Sequence, residues 1–307
     1  MKGIFYSTIA VLFIAPLILM ALSDLSTSQT ASDSMQTKIA GDKLASFSSS
    51  IDNDLPRAVA IMASNALTQA VVYQENTGKP INDSGALLRE IISNGTIYGS
   101  GSASSFTISS WAYQLQNEGQ LYGFQTSVQV TNLSFIELDS YDIGINVQIA
   151  VNASYAFQNM RLYRIYNSTI AVPIKGFDDP LYTLQTNGVI KRSILVPSMN
   201  ISGPSAFDNA TSGGFYMPSN SGPGFLDRME GRLRPSGKYN STQAGLESVA
   251  YLPVLQANGF SIKESQSDID YMYFDNSTYS GNHVNQSSYS WLVIDAVHGA
   301  TYNLTLV

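Results

Sequence analysis

The sequence predicts an α+β protein: an N-terminal transmembrane helix continuing into a helical stalk, then an antiparallel sheet (a three-stranded meander) packed on helices, with a mixed C-terminal region. Three observations predict it. Residues 3–22, GIFYSTIAVLFIAPLILMAL, run for twenty residues without a charge, and at about 1.5 Å per helical residue they match a hydrocarbon core about 30 Å thick. Beyond them the apolar residues recur at helical spacing, as in Leu44, Phe47 and Ile51. Between residues 141 and 155 the period changes to two, with Ile143, Ile145, Val147, Ile149 and Val151 alternating with Gly144, Asn146, Gln148 and Ala150.

Lys2 precedes the apolar run, Asp24 and Asp33 follow it, and Lys38 is the next base. That asymmetry orients the chain as a single-pass cell-membrane protein, N-terminus cytoplasmic and body extracytoplasmic. Ala21-Leu22-Ser23 carries the small residues of a secretory cleavage site, yet the apolar run is longer than the about 7–15 residues of a cleaved signal. Cleavage between Gly3 and Ile4 would instead leave the apolar helix at the new N-terminus. Lys2-Gly3 followed by an apolar 4–22 resembles the start of archaeal type IV pilin-like proteins, although Ile4 and Thr8 stand where Gln and Glu are usual. A retained anchor, a fixed or processed N-terminus and a released protein all stay open.

Residues 24–55 continue a helix whose stripe is Met35, Ile39, Leu44, Phe47 and Ile51. Asp54 before Pro56 reads as an N-cap, so a second helix is expected to about Tyr73, with Val59, Met62, Ala63, Ala66 and Ala70 on one face. Gly78-Lys79-Pro80 is a turn. Asp83 or Ser84 caps a short helix through Leu87, Leu88, Ile91 and Ile92 that Gly95 stops. Residues 104–119 form a further helix with Phe106, Trp111 and Leu115 apolar. Strands at 125–138, 141–155 and 161–174 have short connections, the second at Gln158-Asn159, and so pair antiparallel. Asp178 or Asp179 caps a helical turn with Pro180 near its start. A strand is expected at 189–196, a long loop at 200–224, helices at 225–233 and 245–257, and strands at 271–274 and 290–294. The organisation is an anchor or signal segment (1–23), stalk and short helices (24–100), meander (101–175) and mixed α/β region (176–307).

Hydrophobic residues make up 44 % of the 307 residues, enough for a sizeable core, while charged residues are only 13 %, about half the usual share. The net charge is −7, and the densest basic groups are Lys191-Arg192 and Arg228 to Arg234, diluted by Asp227 and Glu230. Nucleic acid is therefore not an expected partner. The absence of cysteine excludes disulfides, a thiol nucleophile and a lipid carried on Cys.

The segments GFDDPLY (176–182), GFLDRMEGRL (224–233), GLESVAYLP (245–253), DYMYF (270–274) and SWLVIDAVH (290–298) resemble a set of archaeal membrane-anchored surface proteins. The resemblance implies an anchored extracellular protein associated with pilin-like systems. It implies no reaction and transfers no functional residue.

Eleven Asn-X-Ser/Thr sequons occur, at Asn82, Asn94, Asn132, Asn152, Asn167, Asn200, Asn209, Asn240, Asn276, Asn285 and Asn303, where composition alone gives about four. They mark candidate N-glycosylation sites. Histidine occurs only at His283 and His298. Asp295, three residues before His298, shares a helix face with it, and Ser288 or Ser290 could complete a relay; no nucleophile elbow is present, and a capping or hydrogen-bonding histidine is the expectation. Asp268, Asp270 and Asp275, like Asp52 and Asp54, lack calcium-loop spacing. Glu230 and Glu247 fall on expected helices as solvated acids. Tyr271, Tyr273, Tyr279 and Tyr289 suit strands or an adhesive surface. No phosphate loop, zinc motif or dinucleotide fingerprint occurs, so no cofactor, metal or enzymatic activity is expected.

The function expected from these readings is a membrane-anchored extracellular structural or adhesive glycoprotein, such as a minor pilin or pilus-associated component. Its partners are the membrane through residues 3–22, like or unlike subunits, and N-linked glycans. The alternative is a membrane-anchored hydrolase or carbohydrate-binding module acting on the envelope. A sheet packed on the N-terminal helix favours the first, and a pocket that joins His298 and Asp295 to a further acid or hydroxyl favours the second.

Overall fold

The computed structural model describes residues 2–155, 160–240, 243–275 and 279–307, with side chains at 2–17, 21 and 25–31 excepted. A single helix, α1 (Lys2–Thr77), opens the chain. No break falls at Asp54, contrary to the two-helix expectation. Pro56 removes one intrahelical donor, but Ile51 and Leu55 before it and Ala58 and Val59 after it are buried on one continuous face. Asp54 accepts a bond from the Trp111 indole instead of capping, at 2.6 Å. The predicted stripe is buried only in part: Leu44, Phe47 and Ile51 are covered, whereas Met35 and Ile39 are exposed. Among the described side chains Ala40 is the first that is buried, and every one before it is exposed. Among the described residues no helix is long and apolar enough to cross a membrane; most of the predicted span, side chains 3–17 and 21, lies outside them.

Helix α2 (Ser84–Asn94) begins at Asp83, whose carboxylate accepts the Ala86 N–H, and ends on left-handed Gly95. Helix α3 (Ile108–Leu121) starts four residues later than expected, because Thr107 and Ser110 form a capping box. The meander follows as β1 (Phe124–Glu137), β2 (Asp142–Tyr155) and β3 (Met160–Pro173), antiparallel in the order β1-β2-β3. The inward residues of β2, from Ile143 to Val151, are buried against α1 as the alternation predicts, while α3 covers β1.

A β-bulge between Val130 and Asn132 shifts the register of β1 by one residue. Val128 and Val130 face the core before it, and Leu133 and Phe135 after it. Side chains alternate across a strand, so an extra residue swaps the faces of everything that follows. The swap turns Glu137 inward at the strand end, where it is buried.

Beyond the sheet the elements are short: α4 (Pro180–Gln185), α5 (Pro204–Gly213), β4 (Met217–Ser219), α6 (Phe225–Met229), β5 (Gly245–Glu247), α7 (Leu252–Ala257), α8 (Asp270–Phe274), β6 (Asn282–His283), β7 (Val293–Ile294) and α9 (Ala296–Thr301). Asp179 caps α4 with Pro180 at its start, as expected. Four expectations fail here. Residues 189–196 make only the bridges Asp178↔Ser193 and Leu195↔Phe215. The expected loop at 200–224 contains α5 and β4. The expected helix at 245–257 opens as β5, paired with β4, and turns helical only at Leu252. The expected strand at 271–274 is α8. At 189–196, 245–257 and 271–274 a short apolar run fits either period, and tertiary contacts decide; at 200–224 the Pro204 start and the left-handed Gly214 bound a short helix inside a stretch of turn-forming residues. A second apolar cluster, with Leu181, Phe207, Leu292 and Ile294, underlies this region beside the sheet core.

Candidate functional site

The C-terminal region buries an unusual number of ionisable groups, and they converge at two places. The first is built around Arg228. Helix α6 is buried along its whole length, with Phe225, Leu226, Asp227 and Met229 beside Arg228, so that side chain has no route to solvent. Its Nη1 donates to Asp179 at 2.7 Å and to Asp270 at 3.1 Å. Nη2 donates to the Leu246 carbonyl, and Nε to the Pro223 carbonyl at 3.2 Å. Tyr216 donates to Asp179 at 2.9 Å, and Ser248 to Asp270 at 2.7 Å. Burial opposes the charge on Arg228, but the two carboxylates outweigh it and raise its pKa. The knot ties α4, α6, β5 and α8 together.

Glu137 closes the start of α6 from the other side. Its Oε1 accepts the Leu226 N–H at 2.8 Å, while Oε2 is buried with no partner. Burial pushes its pKa up to about 8, against the smaller opposing effect of that bond. Gly224 makes the approach possible, because a Cβ there would overlap the Glu137 carboxylate.

The second convergence is His298. Asp295 caps α9 by accepting the Val297 and His298 N–H groups at 3.1 Å, and its other oxygen meets His298 Nδ1 at 2.7 Å. His298 Nε2 lies 3.2 Å from Glu247 Oε2 and 3.2 Å from the Tyr271 hydroxyl. Tyr302 donates to the remaining Glu247 oxygen, and Ser267 donates to Asp295 at 2.8 Å. Burial disfavours the imidazolium, but the bonds to Asp295 and Glu247 prevail and raise the pKa to about 10. The same contact overrides burial at Asp295 and lowers its pKa to about 2.

This arrangement fixes what the ring can do. At neutral pH both nitrogens carry protons and both face carboxylates, so no lone pair is free to take a proton from a nucleophile. The serine present, Ser267, sits on the aspartate instead of on the histidine. Ser288 lies elsewhere, its N–H on Asp208 at 2.6 Å. His298 therefore works as a positively charged clamp between β5 and α9, although it borders an open cleft of about 550 Å³ shared with Arg234, Tyr279 and Ser280.

Other predicted residues disperse. Asp268 accepts the Val293 N–H at 2.7 Å, Asp270 joins Arg228, and Asp275 pairs with Arg234 at 3.1 Å. Among the described residues no group of three or more acids or histidines is placed to hold a metal ion. Glu247 is not a solvated helix acid: it lies on β5, buried beside His298. Glu230 is not solvated either, and joins Lys238 at 2.9 Å, Tyr239 at 2.6 Å and the Ser84 N–H at 3.0 Å. Tyr271 and Tyr273 are buried. Asn82, Asn94, Asn132, Asn167, Asn200, Asn209, Asn240, Asn285 and Asn303 are exposed, and Asn152 is half-buried, its side chain accepting from Arg161 at 2.8 Å. Asn276 lies outside the described residues, as does the connection at Gln158 and Asn159. At Gly3 and Ile4 only the helical backbone is described.

Sequence reasoning passed over Arg228 and Glu137. The signal for Arg228 was a charge set beside Phe225, Leu226 and Met229 in a short helix. For Glu137 no local signal exists, since the bulge alone turns it inward. Neither family models nor curated proteins nor solved structures match this chain.

Proposed function

We propose that the protein is a membrane-anchored extracellular structural or adhesive surface glycoprotein, in the manner of a minor pilin or pilus-associated component, and that it acts by protein–protein packing. The observation that carries the proposal is the division of α1. From Ala40 onward the helix packs its apolar face against the sheet, and every described side chain before Ala40 is exposed. On that earlier part Ile18, Leu19, Met20 and Leu22 are 53–69 % exposed. Four large apolar side chains exposed within five residues of a helix call for lipid or another helix as cover. Accessible sequon asparagines on the body accord with an exported, glycosylated surface. A histidine-based hydrolase is disfavoured, because both nitrogens of His298 face carboxylates.

The test is cell fractionation with N-terminal sequencing of the native protein. Recovery in membranes or surface filaments, released by detergent and not by salt, is the expected result. A first residue of Ile4 supports filament assembly, and Met1 supports a fixed anchor. Recovery of unmodified full-length protein from cytosol overturns the proposal.

A further inference from the structure

A second cleft, lined in part by Trp291, has the makings of a binding site. It holds about 560 Å³, within the about 300–1,000 Å³ of ligand pockets. Four segments wall it: the first turns of α7 with Leu252, Pro253 and Gln256; the following loop with Ile262, Glu264 and Ser265; His283 on β6; and Trp291 just before β7.

Two tyrosines pack against the Trp291 ring. Tyr251 meets it edge-on, with centroids 5.4 Å apart at 86°, and Tyr289 lies 5.3 Å away at 38°. Aromatic contacts of this kind fix a ring's orientation as well as burying it. The polar lining is uncommitted. Among the described residues, the side chains of Gln256, Glu264, Ser265 and His283 and the Trp291 indole N–H make no hydrogen bond to protein. Gln256, Glu264, Ser265 and His283 are exposed at the cleft, so their polar groups are accessible to a ligand.

We propose that this cleft binds a neutral pyranose sugar. A pyranose presents an apolar face of C–H groups and a rim of hydroxyls that both donate and accept. The cleft offers the complement: an apolar wall of Trp291, Leu252, Pro253 and Ile262, with Gln256 and Ser265 able to donate and accept, Glu264 to accept and the indole to donate. The carboxylate of Glu264 disfavours acidic sugars. The site does not depend on whether α1 is an anchor, so either proposal can fail alone.

Trp291 supplies the readout, since Trp111 is the one other tryptophan and is buried in the sheet core. Intrinsic fluorescence of the full chain, kept in a detergent without a sugar headgroup, is titrated with methyl α-mannopyranoside, methyl β-galactopyranoside, N-acetylglucosamine and glucuronate. A saturable change with at least one neutral sugar is expected. Gln256→Ala and Glu264→Gln, both exposed positions, weaken that binding about tenfold, the loss of one hydrogen bond. Trp291→Phe removes the signal, and calorimetry follows binding in that variant. No saturable change with any neutral sugar, binding unaltered by either exposed variant, or glucuronate bound as tightly as the neutral sugars would overturn the proposal.

Discussion

Around the sheet, the buried positions are almost all aliphatic or aromatic: Ile51, Met62 and Leu67 on α1 meet Ile145, Ile149 and Val151 on β2. Between Asp179 and His298 the buried positions include Arg228, Glu247, Asp268, Asp270 and Asp295. The first region buries apolar area, a non-directional force that tolerates slack. The second spends part of its interior on groups that are stable only when each finds its partner. The short elements explain the difference. A five-residue helix or a three-residue strand cannot hide a broad apolar face, so the C-terminal chain is fastened at points.

The largest effect should come from cutting the main fastening. Arg228→Ala leaves Asp179 and Asp270 buried without a counter-charge and should cost about 3–5 kcal/mol by denaturant titration. Adding Asp270→Asn to that variant should recover part of the loss, because one orphan charge disappears. An Ile145→Ala cavity in the sheet has no such rescue. If Arg228→Ala costs less than about 1 kcal/mol, the contrast between the regions fails.

The next effect is a pH dependence centred on the C-terminal region and its seam with the sheet. His298 has its folded pKa raised from 6.5 to about 10, so its stabilisation is full below 6.5 and is lost as pH rises through about 10. Glu137 and Asp268 are raised from 4.5 and 3.8 to about 8, chiefly by burial. The folded state holds them neutral, and their contribution likewise drains away as pH rises through about 8. Asp295 runs the other way and matters only as pH falls through about 2. All three raised groups point to a melting temperature higher near pH 5 than near pH 9, by about 5 °C or more. His298→Gln should flatten that slope, and a slope unchanged in this variant would remove the clamp from the account.

Gly224→Ala probes the seam between the regions. Its φ of −74° suits any residue, so the cost is one of space: the methyl group displaces the Glu137 carboxylate from the start of α6. About 1–3 kcal/mol is expected from the crowding. A double-mutant cycle with Glu137→Ala should show the two losses falling well short of additive.

The same contrast governs what could be read from the amino acids. The period-two run of β2, the Asp83 and Gly95 caps of α2 and the Asp179-Pro180 start of α4 are local signals, set by backbone sterics and neighbouring N–H groups, and each lies where the sequence places it. The sheet order follows from short connections. In the C-terminal region local pattern decides less: Tyr271 to Phe274 fits a strand as well as a helix, and the Arg228 pairings select the helix. Those pairings span 42 and 49 residues, and no local pattern encodes them. Asp295 and His298 were legible as neighbours on one helical turn. Glu247 was not, because its partner lies 51 residues away.

The smallest effect belongs to charge in the sheet region. Arg164 reaches from β3 to Asp52 on α1 at 2.8 Å, but the two side chains are 46 % and 43 % exposed. Solvent screens such a pair, and ordering two side chains offsets much of the attraction. Arg164→Met should cost about 0.2–1 kcal/mol, and the cost should shrink further at about 1 M salt. The guanidinium also lies 4.6 Å from the Tyr166 ring centroid, a contact that the methionine replaces in part. A loss comparable to that of Arg228→Ala would mean that charge fastens the sheet as well, and the distinction between a packed half and a pinned half would have to be abandoned.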